Sequence, residues 1–239
     1  MKKTIIVILA AMMALSVVGC GSMKSEPISS VEPSSQNRFT GMTVSVGDTV
    51  TFGKYKQNSN PPGGPLGSDE EDIEWIVLAK EGNRVLVISK YALDWQEYHA
   101  AYTDVTWETC SLREWLNGTF LEKAFSAEEQ NRMISTTVTA DRNPEYDTSP
   151  GNDTTDKVFL LSITEVNRYF SSDEARKCDQ TAYARRLSYK SNTVWWLRSP
   201  GSKSGLVAIV DPDGSVRYYG YNVISDGAVR PAMWIDLGD

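Results

Sequence analysis

Histidine and cysteine are nearly missing from this chain: His99 is the single histidine, and Cys20, Cys110 and Cys178 are the three cysteines among 239 residues. That is too few soft ligands for a familiar zinc site, so no metal and no other cofactor is expected. No Gly-x-Ser-x-Gly elbow or other nucleophile context accompanies His99, and no catalytic residue is assigned. Positive charge is also short. Lys and Arg number 24 against 31 Asp and Glu, a net charge of -7, which argues against nucleic acid and against anionic membrane surfaces as partners. The carboxylates do not single out a hydrolytic pair, because the separation that matters is spatial. No internal repeat is present. The apolar run from Ile5 to Val18 falls short of the roughly 20 residues that span a bilayer.

That run has another use. Lys2 and Lys3 precede it, and Val17-Val18-Gly19-Cys20 follows, with small residues at positions 16 and 19. This is the layout of a secretory signal. A cysteine directly after the cut is what a diacylglyceryl transferase modifies, and Val-Val-Gly-Cys resembles the bacterial lipobox. Residues 1–19 are read as a lipoprotein signal peptide and Cys20 as the lipidated residue. Its two or more acyl chains anchor stably where one does not. The expected location is the cell membrane, lipid-anchored, on the extracytoplasmic face. Removing residues 1–19 takes away two lysines and makes the mature chain more negative still.

From Cys20 to residue 41 the chain is rich in serine, with Pro27 and Pro33, a composition that reads as a flexible tether. Residues 42–239 are read as one globular domain, since about 190 residues build one core and not two. Thr43–Val46 and Val50–Phe52 suggest short strands divided by Gly47-Asp48, followed by an irregular loop from Asn58 to Asp72. Ile73–Ala79 and Arg84–Ser89, joined by Lys80-Glu81-Gly82-Asn83, read as a hairpin. Helical signals come next: Leu112, Trp115 and Leu116 at helix spacing after Ser111, and capping boxes at Ser126–Glu129 and Ser162–Glu165. Strands return at Val194–Arg198, Leu206–Val210, Ser215–Tyr219 and Val229–Ile235. Pro200-Gly201, Asp213-Gly214 and Asp226-Gly227 are their turns. The expected fold is α+β, a mainly antiparallel sheet with short helices in the middle and the terminal strands paired with each other.

Six blocks then carry a resemblance. In order they are Phe52–Tyr55, Ile73–Leu78, Thr106–Asn117, Lys157–Ser162, Trp195–Gly201 and Val229–Ile235. They resemble an uncharacterised family of domains of unknown function in secreted proteins and lipoproteins of mostly Gram-positive bacteria, over roughly residues 45–236. The last two blocks, Trp-Leu-Arg-Ser and Val-Arg-Pro, also resemble the C-terminal part of C-type-lectin-like and formylglycine-generating-enzyme-like domains. That likeness implies a lectin-like α+β fold. The copper chemistry of the enzymes needs a closely spaced cysteine pair, and Cys110 and Cys178 are 68 residues apart.

Candidate site residues fall into three groups. Cys110 and Cys178, outside a reducing cytosol, are a possible disulfide or two separate thiols. Arg198 and Arg230 sit in apolar strands beside Trp195, Trp196 and Trp234. They either lock the sheet through buried acids, carbonyls and aromatic faces, or grip an anionic ligand. With seven tryptophans and eleven tyrosines, aromatic stacking on sugar faces is a natural reading. Trp95, Tyr98, Tyr102, Tyr218, Tyr219 and Tyr221 lie in loop-like or hairpin segments, whereas Trp75, Trp115, Trp196 and Trp234 fall at core-like positions. Asp211-Pro212-Asp213-Gly214 reads as a hairpin turn and not as a calcium loop, because no downstream acid follows before Asp226. Asp69–Asp72 reads as a solvated acidic loop, and Asn117-Gly118-Thr119 as an incidental glycosylation pattern. The expected function is a surface-exposed domain binding a glycan or a protein partner. The alternatives are an enzyme acting on cell-wall or environmental polymers and a structural part of the envelope.

Overall fold

The computed structural model describes residues 43–58, 70–188 and 193–238, all within one compact unit, Arg38–Asp239. The predicted signal, Cys20, the tether and most of the irregular loop expected from Asn58 to Asp72 lie outside these residues. Thr49–Lys56 (β1) is the first strand; Thr43–Val46, expected to be extended, instead leads into a turn at Gly47, whose φ is +93°. Glu70–Glu81 (β2) pairs with it antiparallel, and its buried residues alternate through Ile73, Trp75 and Val77, as a sheet with one covered face requires. The acidic residues predicted as loop therefore begin a strand. Glu70, Glu71 and Asp72 lie opposite Lys56, Tyr55 and Lys54, and opposite charges across a ladder favour pairing.

Arg84–Ser89 (β3) completes the predicted hairpin. Glu81 pairs with Arg84 across a two-residue turn in which Gly82 takes φ +57°, the left-handed conformation that such turns need. Asp94–Glu97 (β4) follows. After a 3-10 turn at Trp107–Thr109, Ser111–Trp115 (α1) runs through a π turn, Leu116–Phe120, into Leu121–Ala124 (α2). Cys110, not Ser111, caps α1, its Sγ accepting from the Arg113 amide at 3.4 Å. Asn117 holds the π turn in place: its Nδ2 donates to the Val158 carbonyl at 2.8 Å and its Oδ1 accepts from the Lys157 and Val158 amides. The apparent glycosylation pattern is thus a structural bracket.

Ala127–Arg132 (α3) opens with the predicted capping box of Ser126 and Glu129. Thr136–Val138 (β5) and Thr154–Asp156 (β6) form a small separate sheet. Ile163–Tyr169 (α4), with the second capping box, precedes Asp173–Arg176 (α5) and Ala182–Ser188 (α6). Trp195–Pro200 (β7), Leu206–Val210 (β8) and Val216–Asn222 (β9) are successive antiparallel strands. The turn between β8 and β9 is the predicted one: the Gly214 amide donates to the Asp211 carbonyl at 2.8 Å, and Asp211 pairs with Arg217.

The final segment departs from the expectation. Val229–Ile235 is two strands, Asp226–Val229 (β10) and Ala232–Asp236 (β11), and Asp226-Gly227 is strand instead of turn. Pro231 has no amide hydrogen to give to a ladder. The break sends the two halves to different sheets, ordered β1-β2-β3-β11 and β4-β10-β7-β8-β9. β11 pairs with β3 and β10 with β4, so residues 84–97 and 226–236 form one antiparallel ribbon bent at a corner between the sheets. The first and last strands do not pair with each other; they are the two edges of one sheet. The fold is α+β and mainly antiparallel; among the described strands β10 and β7 pair in parallel, and an isolated parallel bridge joins Ala92 to Gln180.

The core joins both sheets. Trp75, Trp195 and Trp196 are fully buried, and each indole nitrogen donates to a carbonyl, of Phe52, Arg176 and Gln96 respectively. Gly227 has to be glycine, since a Cβ there would meet the Trp196 ring at 2.4 Å.

Candidate functional site

β4 and β10 present one face of their ladder to α1. On β4, Trp95 and Glu97 share that face by the two-residue period of a strand. Across the ladder Trp95 lies opposite Ala228, and Glu97 lies directly opposite Asp226. The segment after β4 is tied to the start of α1. The Leu112 amide donates to the Tyr98 carbonyl, the Ser111 amide to His99 Nδ1 at 3.1 Å, and the Ala100 amide to Ser111 Oγ at 3.1 Å. Because His99 Nδ1 accepts an amide hydrogen, the neutral ring carries its proton on Nε2.

These ties hold α1 beside the ladder and leave an open groove of about 390 Å³ between them. Trp95, Gln96 and Glu97 of β4 with Asp226 of β10 line one side, Ser111, Leu112 and Trp115 line the other, and Ala100 also borders it. The size is that of a small-ligand pocket. Trp95 is mostly covered, and Trp115, stacked on Phe120 at 5.3 Å, is half-buried. Glu97 and Asp226 are exposed, and among the described residues neither is in an ion pair. Among the described residues no lysine or arginine lines the groove.

Behind this wall is a buried polar relay. Gln96 Nε2 donates to Asp94 Oδ1 at 3.1 Å, the Trp95 amide donates to the same oxygen at 2.7 Å, and Tyr55 Oη donates to Asp94 Oδ2. Burial pushes the Asp94 carboxyl above its ordinary value of 3.8, against the three hydrogen bonds that pull it down. Burial and the neighbouring Asp94 likewise push the Tyr55 phenol up. The Gln96 side chain therefore turns to the Asp94 side of β4, away from the face that Trp95 and Glu97 share.

Of the residues singled out in the sequence, only Trp95 is in the groove. Tyr98 is fully buried, its hydroxyl toward the Arg198 carbonyl at 3.5 Å. Tyr102 is exposed and lies over Gly205; Tyr219, also exposed, meets Tyr146 edge-on at 6.3 Å. Tyr218 accepts from Asn167, and Tyr221 packs on Trp196. Arg198 is buried. It ion-pairs with Glu165 through Nη1, donates to the Leu160 and Thr139 carbonyls, and approaches Asp141 at 3.6 Å, tying β7 to α4. Arg230 fills the corner of the ribbon. Its Nε donates to the Ser89 carbonyl at 3.0 Å and its Nη1 to that of Arg176 at 3.3 Å, and the guanidinium lies over Trp195 and Phe170 at 5.0 and 5.5 Å. Neither arginine offers its charge to a ligand.

Cys110 and Cys178 are free thiols in separate surroundings. Cys110 lies under α1 beside Tyr98, and Cys178 lies by the Lys90 carbonyl. Burial pushes the Cys110 thiol up to about 12, so it is no nucleophile at neutral pH. Among the described residues no group of three or more His, Cys, Asp or Glu side chains is placed to hold a metal ion, and no helix is long and apolar enough to cross a membrane.

Trp115, Glu97, Gln96, Ser111 and Asp226 are the groove residues that sequence reasoning missed. Trp115 had a core-like helical spacing, and Asp226 was hidden in an apparent turn. Glu97 gains its meaning only from the strand opposite. No curated protein and no solved structure matches the chain. A family model matches residues 82–237, starting in the β2–β3 turn, so that β1 and all of β2 lie ahead of the match while supplying two strands of the first sheet. The chain therefore belongs to a family of domains of unknown function, DUF6273.

Proposed function

We propose that this is a lipoprotein, anchored through Cys20 on the extracytoplasmic face of the membrane, whose folded domain binds a glycan in the groove between β4, β10 and α1. The observation that carries the binding reading is the convergence of two indole rings, Trp95 and Trp115, with hydrogen-bonding side chains on an open groove of about 390 Å³. Flat rings cover the apolar faces of sugars while carboxylates, amides and hydroxyls meet their hydroxyl groups. The lectin-like part of the reading is supported by the adjacency of its two sequence blocks: Trp195 of β7 pairs with Ala228 of β10, just before Val229-Arg230-Pro231.

The test is a glycan-array screen of the full-length chain with Trp115→Ala, and with Tyr219→Ala as a control remote from the groove. Specific binding that is lost in the first variant and kept in the second is expected. Binding lost only in the second, or no binding at all, removes the reading. For the anchor, Cys20→Ala is expected to release the protein from membranes, and unchanged retention overturns that part.

A polymer-degrading enzyme is the second reading, favoured by the direct opposition of Glu97 and Asp226. Both side chains are exposed, without the apolar enclosure on which a general acid relies. Release of new reducing ends from cell-wall glycan, abolished by Glu97→Gln, would establish it in place of a binding module.

A further inference from the structure

The groove is furnished for one sign of charge. Like charges directly opposite on a ladder repel, so placing Glu97 against Asp226 weakens the β4–β10 pairing and gains nothing within the chain. Elsewhere the fold does the reverse: Lys54 and Lys56 of β1 face Asp72 and Glu70 of β2, and Arg217 reaches Asp211 across the β8–β9 turn. Among the described residues that line the groove no cation offsets the pair. The aromatic groups point the same way, since an indole face attracts a cation.

We infer that the groove selects a glycan bearing free ammonium groups, an unacetylated amino sugar, over its neutral counterparts. The ammonium sits between Glu97 and Asp226, while Trp95 and Trp115 cover the ring. This inference rests on the glycan reading above. It commits to charge, which that reading does not.

The experiment titrates the full-length chain, in detergent, with three β-1,4-linked tetramers: glucosamine, N-acetylglucosamine and glucose. Glucosamine tetramer is expected to bind on the order of tenfold more tightly than the other two, with a preference that shrinks as salt rises from about 0.05 to 0.5 M. Glu97→Gln and Asp226→Asn, conservative changes at exposed positions, are expected to erase the preference without lowering the unfolding temperature. Trp115→Ala is expected to weaken all three sugars together. Equal binding of the three tetramers overturns the charge selection and leaves the glycan reading standing. So does a preference that survives in both carboxylate variants. Failure of all three to bind, with the fold intact, overturns this inference; an array that is blank as well removes the glycan reading with it.

Discussion

Asp94 and Arg230 show how single buried polar residues are kept in this fold. Among the described residues Arg230 has no carboxylate partner; two carbonyls and two aromatic faces satisfy it, and burial lowers its proton affinity. Asp94 is the opposite case, a carboxyl whose proton affinity burial raises. A carboxyl that binds its proton more tightly folded than unfolded contributes stability that is fully present below its unfolded value, near 3.8. That contribution is lost as pH rises through the higher folded value. This is the reverse of the usual acid denaturation. Asp94→Asn removes the titration and leaves Tyr55, Trp95 and Gln96 competing for a single acceptor oxygen. It is expected to cost about 1–3 kcal/mol at neutral pH. In urea unfolding between pH 7 and 4, the gap between the parent and this variant should widen as pH falls; a constant gap would show that Asp94 is not the titrating group.

At the scale of elements, α4 is attached to β7 by one carboxylate serving two ends. Glu165 closes the capping box on the Ser162 amide and ion-pairs with Arg198, whose side chain is 2% exposed. Ser162→Ala, which loses the cap and the hydroxyl's bond to Asp141, is expected to cost about 1–2 kcal/mol. Glu165→Ala also takes from the buried Arg198 guanidinium its closest carboxylate, leaving Asp141 at 3.6 Å, and should cost about 3 kcal/mol in the same denaturation assay. Equal losses would mean that the ion pair contributes little. Both capping boxes were legible in the sequence, as was the β2–β3 hairpin, because each is set by residues within a few positions of one another. The bend between β10 and β11 was less so. Val229–Ile235 looks like one apolar strand, and only Pro231 hinted otherwise. The groove was the least legible, because Glu97 and Asp226 are 129 positions apart in the chain and opposite each other only in the ladder.

For the whole molecule, Cys110 reports on global stability. It is buried between Tyr98 and α1 with its thiol held protonated, so a thiol reagent at pH 8 is expected to reach it only when the domain opens as a unit. Mass-spectrometric mapping should find Cys110 labelling at the rate of unfolding in urea. Fast labelling in the native state would mean that α1 detaches by itself.

The bent ribbon also dictates an order of events in time. β3 and β4 are made early, yet their partners β11 and β10 lie some 130–150 positions later, and each of the two main sheets gains a strand from residues 226–236. Closing contacts over such separations is slow. A nascent chain has no way to seal either sheet before these residues emerge. Until then, the inner edge of the β2–β3 hairpin stays open to any other strand it meets, and whatever shields that edge during synthesis sets the yield of folded protein.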